Sequence, residues 1–267
     1  MATPSALVNV MVEAARKAGR GLVRDFGEVA ELQVSKKGAA DFVSAADVKA
    51  EQTLFEMLEK ARPGYSFLGE ERGLVEGTDK SHRWIVDPID GTTNFIHGRR
   101  DGALAFQPDA DREGAIAASV VYNPVTNELY WAERGKGAYL NNETQLRVSA
   151  RRNLDEAVLA TGIPFLGHGQ HAKFLKELHQ ISQRVAGVRR FGAASLDLAY
   201  VAAGRFDGFW ERDLKVWDIA AGLLLVTEAG GKISEIDGAD VMDTGNILAT
   251  NPELHGQVLA RLQAASA

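Results

Sequence analysis

Apolar residues recur at helical spacing near the start of the chain and predict a long helix that ends near Gly27. The residues that set this period are Leu7, Val10, Met11, Ala14, Ala15, Ala18, Leu22 and Phe26. A second helix is predicted to open at Asp47, with Leu54, Met57 and Leu58 on its inward face. We expect the first helix to serve packing alone.

Short strands separated by turns are predicted from Phe67 to about Val148. Three of them, at 115–122, 128–132 and 137–140, are expected to form a meander. From Ala157 onward the pattern changes to strands that alternate with helices, at 172–185, 195–203, 218–229 and 252–263. This change predicts a smaller α/β half at the end of the chain.

The length of 267 residues exceeds that of a typical single hydrophobic core. We therefore expect two closely packed halves that share one cleft. Residues 1–150 would form an α+β half with most of the candidate metal ligands, and residues 151–267 an α/β half with substrate contacts and one metal ligand. No spacer rich in Pro, Ser or charge separates them, so one continuous globular unit is expected.

The amino-acid composition excludes several classes of protein. A hydrophobic content of 45% and a charged content of 25% are typical of a soluble globular domain, and the net charge of −6 argues against a generic nucleic-acid binder. The absence of cysteine excludes disulfides, thiolate zinc sites and a cysteine nucleophile. No apolar stretch approaches the roughly 18 residues of a membrane span, and no signal-peptide core is present, so the cytoplasm is the expected location.

The tract WIVDPIDGTTNF at residues 84–95 carries the most chemical information. Its first residues are typical of a buried strand, its proline and glycine favour a turn, and its threonines can begin a helix with free N–H groups. Asp87 and Asp90 would then meet in one sharp turn. Carboxylate oxygens suit Mg²⁺, and a helix N-terminus suits phosphate. Taken alone, Asp-Gly-Thr would more simply be an Asx-turn with a threonine cap.

Other acidic segments change that simple interpretation. Glu70 and Glu71 follow an apolar run at 65–68, and Asp218 precedes another apolar helix. Taken in order, these motifs resemble those of the inositol monophosphatase family, in particular its bacterial members called extragenic suppressor proteins. The resemblance covers nearly the whole chain. The matching segments are 87–95 for the first signature, 217–222 for the second, and the acids of DFVSAAD at 41–47.

The resemblance implies a layered αβαβα sandwich of the sugar-phosphatase superfamily. It implies hydrolysis of inositol 1-phosphate, or of a similar small polyol phosphate, with two or three Mg²⁺ ions, inhibition by Li⁺ and a homodimer. The alternatives within the superfamily are phosphatases that act on histidinol phosphate, 3′-phosphoadenosine 5′-phosphate or fructose bisphosphate.

The metal ligands that the resemblance implies are Glu70, Asp87, the carbonyl of Ile89, Asp90 and Asp218. These hard oxygens could hold two ions about 4 Å apart, the spacing of two-metal sites that neutralise both ends of an in-line displacement. Carboxylates converging without a cation would repel one another, which argues against a purely structural role. Adjacent residues of an extended segment point to opposite sides, so Glu70 rather than Glu71 is assigned to the metals.

The nucleophile is expected to be a metal-bound water, because a metal ion lowers its pKa and the chain has no cysteine and no serine elbow. Glu70 and Thr92 are the candidates that orient and deprotonate it. The resemblance implies that Asp47 hydrogen-bonds Thr92. Without the resemblance, Asp47 and Asp218 would be interpreted as the N-caps of their helices.

The substrate contacts that the resemblance implies are Ile89, Asp90, Gly91, Thr92, Gly192, Ala193, Ala194, Glu211 and Asp218. The backbone N–H groups of Gly91 and Thr92 would receive phosphate oxygens. Glu211 corresponds to the position that grips inositol hydroxyls. Without the resemblance, Glu211 would belong to a solvated charge cluster with Arg212 and Asp213.

An interaction protein is the second functional class, because extragenic suppressor proteins of this family can associate with the transcription machinery. The basic features that could serve such a contact are the pairs at 99–100, 151–152 and 189–190. Each pair is more simply a solvated surface feature on an acidic chain.

Residues 99–113 depart from the family pattern. The family continues after His97 with an apolar strand, whereas here charged residues interrupt it at 99–102 and 109–112. Either a short strand with an unusual loop or a pair of compensating reading-frame errors would explain the departure.

Overall fold

The computed structural model describes residues 3–27, 34–38, 41–97, 103–110 and 116–266. The helices of these residues are α1 (Ala6–Gly27), α2 (Ala45–Ala61), α3 (Thr92–Ile96), α4 (His171–Ser182), α5 (Ala194–Ala202), α6 (Val216–Glu228), α7 (Val241–Thr244) and α8 (Pro252–Ser266). A 3₁₀ turn lies at Leu154–Glu156. Among the described residues, no helix combines the length and apolar character needed to cross a membrane.

Two sheets and a small ribbon hold the strands. The ribbon pairs β1 (Val34–Gly38) with β2 (Asp41–Ser44). The large sheet contains β3 (Tyr65–Gly69), β4 (Gly73–Val75), β5 (Asp79–Asp90), β6 (Ala103–Ala110), β7 (Ala118–Asn123), β8 (Glu128–Glu133), β9 (Gly137–Leu140) and β10 (Thr144–Gln145). Its spatial order is β10-β9-β8-β7-β6-β5-β3-β4.

One parallel pair in the large sheet positions the acidic residues. Strands β3 and β5 run parallel, whereas the other described neighbours are antiparallel. Gly69, the last residue of β3, pairs with Val86 of β5. The chain therefore leaves β3 at Glu70 beside the point where β5 reaches Asp87, and the two carboxylates emerge at the same edge.

The small sheet contains β11 (Val158–Thr161), β12 (Gly187–Arg189), β13 (Gly208–Glu211), β14 (Lys232–Glu235) and β15 (Ile247–Thr250). Its spatial order is β12-β11-β13-β15-β14. Strand β11 is parallel to both β12 and β13, and helices α4 and α5 make the crossovers that parallel strands require. Glu211 lies at the end of β13.

Successive side chains of a strand point to opposite faces of its sheet, so each sheet packs against a different helical layer on each face. In β7, Val120 packs with α1 and α2, while Val121 packs with α5 and α6. In β13, Phe209 joins the same core as Val121, whereas Trp210 packs with α4 and α8. The layers are α1/α2, the large sheet, α5/α6, the small sheet and α4/α8, which confirms the predicted αβαβα sandwich.

Helices α5 and α6 cross closely in the central layer. A Cβ atom at Gly222 of α6 would stand 2.5 Å from the Cβ of Leu198 in α5, so only glycine fits there without a shift. Because this helix pair packs on both sheets, the core is continuous between them. The division into halves at residue 150 stays a prediction.

The predicted helix end at Gly27 and the three meander strands are confirmed, but the two N-cap interpretations are wrong. Ser44 caps α2 and Lys215 precedes α6, so Asp47 and Asp218 each occupy the third helical position. From there each carboxylate accepts the N–H of the capping residue, at 2.8 Å for Asp47 and 2.7 Å for Asp218.

The departure from the family pattern falls partly on residues 99–102 and 111–113, which lie outside the described residues. Between them, the backbone of β6 pairs with β5 and β7, where Phe106 is opposite both Val86 and Val120. A strand of 8 residues therefore fills the place between β5 and β7 despite the interrupting charges.

Candidate metal and phosphate site

Asp87 lies in β5 beside the end of β3, and only 1% of it is exposed. Its Oδ1 atom accepts no hydrogen bond from the described residues. Burial raises the pKa of Asp87 well above its usual value, and the negative charges of Glu70, Asp90 and Asp218 raise it further. A carboxylate in such surroundings stays charged only when a cation is close.

The turn after β5 places Thr92 between two oxygen atoms. Gly91 adopts a φ of 88°, in the left-handed region that favours glycine, and α3 begins at the next residue. The hydroxyl of Thr92 lies 3.0 Å from Oδ1 of Asp47 and 3.1 Å from the carbonyl of Ile89. The predicted contact between Asp47 and Thr92 is thus present. The single hydroxyl proton serves one of the two acceptors at a time.

Asp47 is fully buried on α2. Its Oδ2 atom accepts the hydroxyl of Ser44 at 2.5 Å in addition to the Ser44 N–H. Burial raises the pKa of Asp47, while the hydrogen bonds from Ser44 and Thr92 lower it. The helix thus holds a carboxylate of fixed orientation against the turn at Thr92.

Asp90 faces the start of α5. Its Oδ2 atom accepts the backbone N–H of Ser195 at 2.6 Å and the Ser195 hydroxyl at 2.5 Å. Burial raises the pKa of Asp90 to about 6, although these hydrogen bonds lower it. The turn at 192–194 directly precedes Ser195. Three predicted substrate residues, Gly192, Ala193 and Ala194, therefore lie next to Asp90.

Asn94 makes a second connection between the same two regions, because its Nδ2 donates to the carbonyl of Phe191 at 2.7 Å. Sequence reasoning missed both Asn94 and Ser195. Asn94 stands inside the first signature and could have been noticed there. The sequence does not indicate the contact of Ser195 with Asp90, because the two residues are 105 positions apart and a serine near a helix start is common.

Asp218 and Glu211 enter the cleft from the C-terminal half. Burial and the charge of Asp90 raise the pKa of Asp218 well above its usual value. Burial, together with the charge of Asp90, raises the pKa of Glu211 to about 8, although the charge of Arg190 acts to lower it. A Cβ atom at Gly162 would overlap the Glu211 carboxylate, which therefore lies against bare backbone. The interpretation of Glu211 as a solvated surface charge is wrong.

Glu70 and Glu71 lie in the turn between β3 and β4, rather than on an extended segment as expected. Strand alternation therefore does not separate them. Their charges nevertheless act on different groups, because Glu70 raises the pKa of Asp87 and Asp218, whereas Glu71 raises that of Asp47.

A cavity of about 520 Å³ opens beside these side chains. Glu70, Glu211 and Asp218 line one part of its wall, and the loop at 162–170 between β11 and α4 lines another. In that loop the rings of Phe165 and His168 stack with centroids 4.4 Å apart. The cavity thus joins a carboxylate-rich region to a partly aromatic one.

The donor set fits Mg²⁺, because all candidate ligands are hard oxygens and Asp87 keeps a buried oxygen without a partner among the described residues. Within those residues, no group of three or more carboxylate or imidazole side chains is gathered tightly enough to hold one ion. The assignment of these acids to bound Mg²⁺ therefore stays a proposal.

Comparison with known proteins points to one family. The profile of the Inositol monophosphatase family matches residues 4–267. The Inositol-1-monophosphatase of Caulobacter vibrioides is 67% identical over 257 residues, which are 96% of this chain and 100% of that protein. The Nus factor SuhB of Escherichia coli K12 is 42% identical over 258 residues, 96% of each chain.

Solved structures share the fold. The extragenic suppressor protein suhB from Bartonella henselae has a TM-score of 0.93 and 52% identity, over 97% of this chain and 99% of that one. An IMPase/NADP phosphatase complexed with Mg²⁺ and phosphate has a TM-score of 0.82 and 25% identity, over 96% and 95% of the two chains.

Proposed function

The chain belongs to the inositol monophosphatase family, and on that premise we propose that it is a Mg²⁺-dependent phosphomonoesterase that hydrolyses inositol 1-phosphate or a similar small polyol phosphate. The observation that carries the proposal is the gathering of Glu70, Asp90 and Asp218 around the buried Asp87 in one cleft, where the charges of the other three acids raise the pKa of Asp87. Such a group destabilises a fold unless a cation binds there.

Bound Mg²⁺ would supply a water of lowered pKa and offset the charge of the phosphate and of the leaving oxygen. The ligands that we propose for two or three ions are Glu70, Asp87, the carbonyl of Ile89, Asp90 and Asp218. The solved relative that holds Mg²⁺ and phosphate supports this proposal.

Glu70 and Thr92 are proposed to orient the attacking water and to take its proton. When the hydroxyl of Thr92 donates to Asp47 at 3.0 Å, its oxygen lone pairs are available to accept from that water. The raised pKa of Asp47 makes this carboxylate a better proton acceptor than an exposed aspartate. The proton can therefore be shared along a chain from water through Thr92 to Asp47.

The substrate is proposed to lie between the turn at 91–92 and the turn at 192–194. The backbone N–H groups of Gly91 and Thr92 would bind phosphate oxygens. Glu211, whose pKa is about 8, holds a proton at neutral pH, so its carboxyl group can both donate to and accept from a substrate hydroxyl. Asp90 and Asp218 would contact hydroxyls nearer the metals.

A phosphate-release screen tests the activity and the substrate together. We expect the highest kcat/KM for inositol 1-phosphate when it is compared with histidinol phosphate, 3′-phosphoadenosine 5′-phosphate and fructose bisphosphate. Turnover should require Mg²⁺, tolerate Mn²⁺ and fall with excess Ca²⁺, which accepts a looser geometry. We also expect inhibition by Li⁺. Full turnover in excess chelator would rule out the metal mechanism.

A contact with the transcription machinery is the second candidate function, favoured by the likeness to the Nus factor SuhB. The basic pairs at 151–152 and 189–190 are exposed, whereas the pair at 99–100 lies outside the described residues. Arg151 is already paired with Asp207 at 3.0 Å. Copurification with RNA polymerase by a chain that lacks phosphatase activity would reverse the order of the two candidates.

The assembly and location that we propose are a homodimer in the cytoplasm. Sedimentation of the purified chain tests the first, and cell fractionation tests the second. A monomer at all concentrations would contradict the dimer.

A further inference from the structure

Helix α2 carries two buried carboxylates one turn apart, Asp47 and Glu51, which are 0% and 2% exposed. Side chains four residues apart lie on the same face of a helix. Asp47 reaches the turn at Thr92, whereas Glu51 reaches a different turn, the one that carries Glu70.

The contact of Glu51 with that turn is close and directed. The backbone N–H of Glu71 donates to Oε2 of Glu51 at 2.9 Å. A Cβ atom at Gly69 would stand 2.7 Å from the Glu51 Cδ, so the missing side chain at Gly69 lets the carboxylate approach the backbone. Burial raises the pKa of Glu51, and the backbone N–H groups of Glu71 and Arg72 lower it.

Glu70 therefore stands between two residues that both touch Glu51. Its own N–H donates to the carbonyl of Val86 at 3.1 Å, which fixes it to β5. Glu51 holds the same turn through α2, by its hydrogen bond from the Glu71 N–H. Arg72 of the same turn also pairs with Glu51, with its Nε atom 3.9 Å from Oε1. These contacts with the turn offset the cost of burying a charged group on α2.

We propose that Glu51 is a positioning residue that holds Glu70 in the orientation required for metal binding. Through Asp47 and Glu51, one rigid helix then sets the distance between the turn at Thr92 and the turn at Glu70. This inference rests on the proposed metal-dependent function.

Magnesium binding to the full chain, measured by titration calorimetry without substrate, tests the proposal. Loss of a group that orients a metal ligand typically weakens affinity about 10- to 100-fold. We expect Glu51→Ala to raise the Mg²⁺ dissociation constant by about tenfold or more on that basis. The Mg²⁺-induced rise in Tm should shrink in parallel. At saturating Mg²⁺, the KM for inositol 1-phosphate should stay near the parental value.

Two further variants separate positioning from general destabilisation. Leu58→Ala removes a fully buried side chain of the same helix that lies away from the turn, so it should lower Tm but leave Mg²⁺ affinity unchanged. Glu51→Gln keeps one acceptor oxygen and the side-chain volume, so it should fold and weaken Mg²⁺ binding less than Glu51→Ala.

The outcomes are distinguishable. The positioning role would be overturned if every Glu51 variant that folds bound Mg²⁺ with the parental affinity and lost Tm as Leu58→Ala does. That result would leave the phosphatase proposal intact. A parental chain that neither binds Mg²⁺ nor releases phosphate would overturn both.

Discussion

At Asp218, the contact with the start of α6 and the proposed metal binding can be separated by one substitution. Asn keeps an oxygen that accepts the N–H of Lys215, but it carries no charge. We expect Asp218→Asn to leave the metal-free free energy of unfolding within about 1 kcal/mol of the parent, or to raise it, because Asp90 and Glu70 no longer face a third charge. Urea denaturation without Mg²⁺ measures this.

The same variant should lose most of its phosphatase activity and require more Mg²⁺, since charge governs affinity for a divalent ion. Phosphate release over a Mg²⁺ titration is the measurement. Parental turnover with parental Mg²⁺ dependence would show that Asp218 serves the helix alone.

Glu70 and Glu71 make a matched pair for a second test at this scale. Glu70→Gln should keep the fold but lower kcat by orders of magnitude, because Glu70 faces Asp87 and Asp218. Glu71→Gln should lower kcat less, since the contact of this residue with Glu51 uses its backbone N–H, which the substitution retains. Equal losses in steady-state kinetics would contradict the assignment.

Residue types drew attention to the candidate metal ligands, but not to the residues that contact them. Asp87, Asp90 and Glu70 stand out because they interrupt apolar runs at turns. Ser195 and Glu51 contact residues that are 105 and 20 positions away in sequence, and local spacing does not indicate such pairs.

Two glycines within helices have different surroundings, and we therefore expect substitutions at them to change the stability of the fold in opposite directions. Gly222 of α6 meets Leu198 of α5, whereas an added Cβ at Gly256 of α8 has no atom within 4 Å. We expect Gly222→Ala to destabilise by about 1–3 kcal/mol through overpacking. Gly256→Ala should stabilise by about 0.5–1 kcal/mol through helix propensity. Urea denaturation of both variants measures the two changes in unfolding free energy. Changes of the same sign would contradict the close crossing of α5 and α6.

His255 of α8 ties that helix to the small sheet, through Ser234 of β14 and Thr250 of β15, each at 2.9 Å. Burial lowers its pKa from 6.5 to about 4. Between these two pKa values the folded state thus binds fewer protons than the unfolded state. The neutral imidazole therefore stabilises the fold fully above pH 6.5, and this stabilisation disappears as the pH falls towards 4.

Relative to His255→Gln, the parent should therefore lose up to about 3 kcal/mol of unfolding free energy as the pH falls through that window. Urea denaturation of both proteins at a series of pH values measures the difference in unfolding free energy. Because both proteins contain the same acidic cleft, the titration of its carboxylates cancels in this difference. A constant difference would mean that the imidazole is not held neutral.

Apolar periodicity predicted most helices and strands, but it misplaced the starts of α2 and α6. An aspartate at the N-cap and one at the third position both precede an apolar run, so the period alone does not distinguish them. The long apolar run after Asp218 did indicate an apolar helix, and the structure shows that residues 219–226 of α6 are all buried. It did not indicate which two sheets would cover it.

For the whole molecule, the central pair α5 and α6 predicts one unfolding transition. Residues 1–150 and 151–267 both contribute to the core around this pair, so neither can unfold without exposing it. Near-ultraviolet and far-ultraviolet circular dichroism should give coincident denaturation curves, with equal calorimetric and van't Hoff enthalpies. Two separated transitions would instead support independent halves.

The loop at 162–170 has a consequence for redesign. Phe165 and Leu166 are 45% and 72% exposed, and the loop borders the cavity without supplying any of the proposed metal ligands. Loops of this kind tolerate exchange better than buried segments do. Grafting the corresponding loop from another family member should therefore change which alcohols are accepted, while the hydrolytic machinery is inherited unaltered from the recipient.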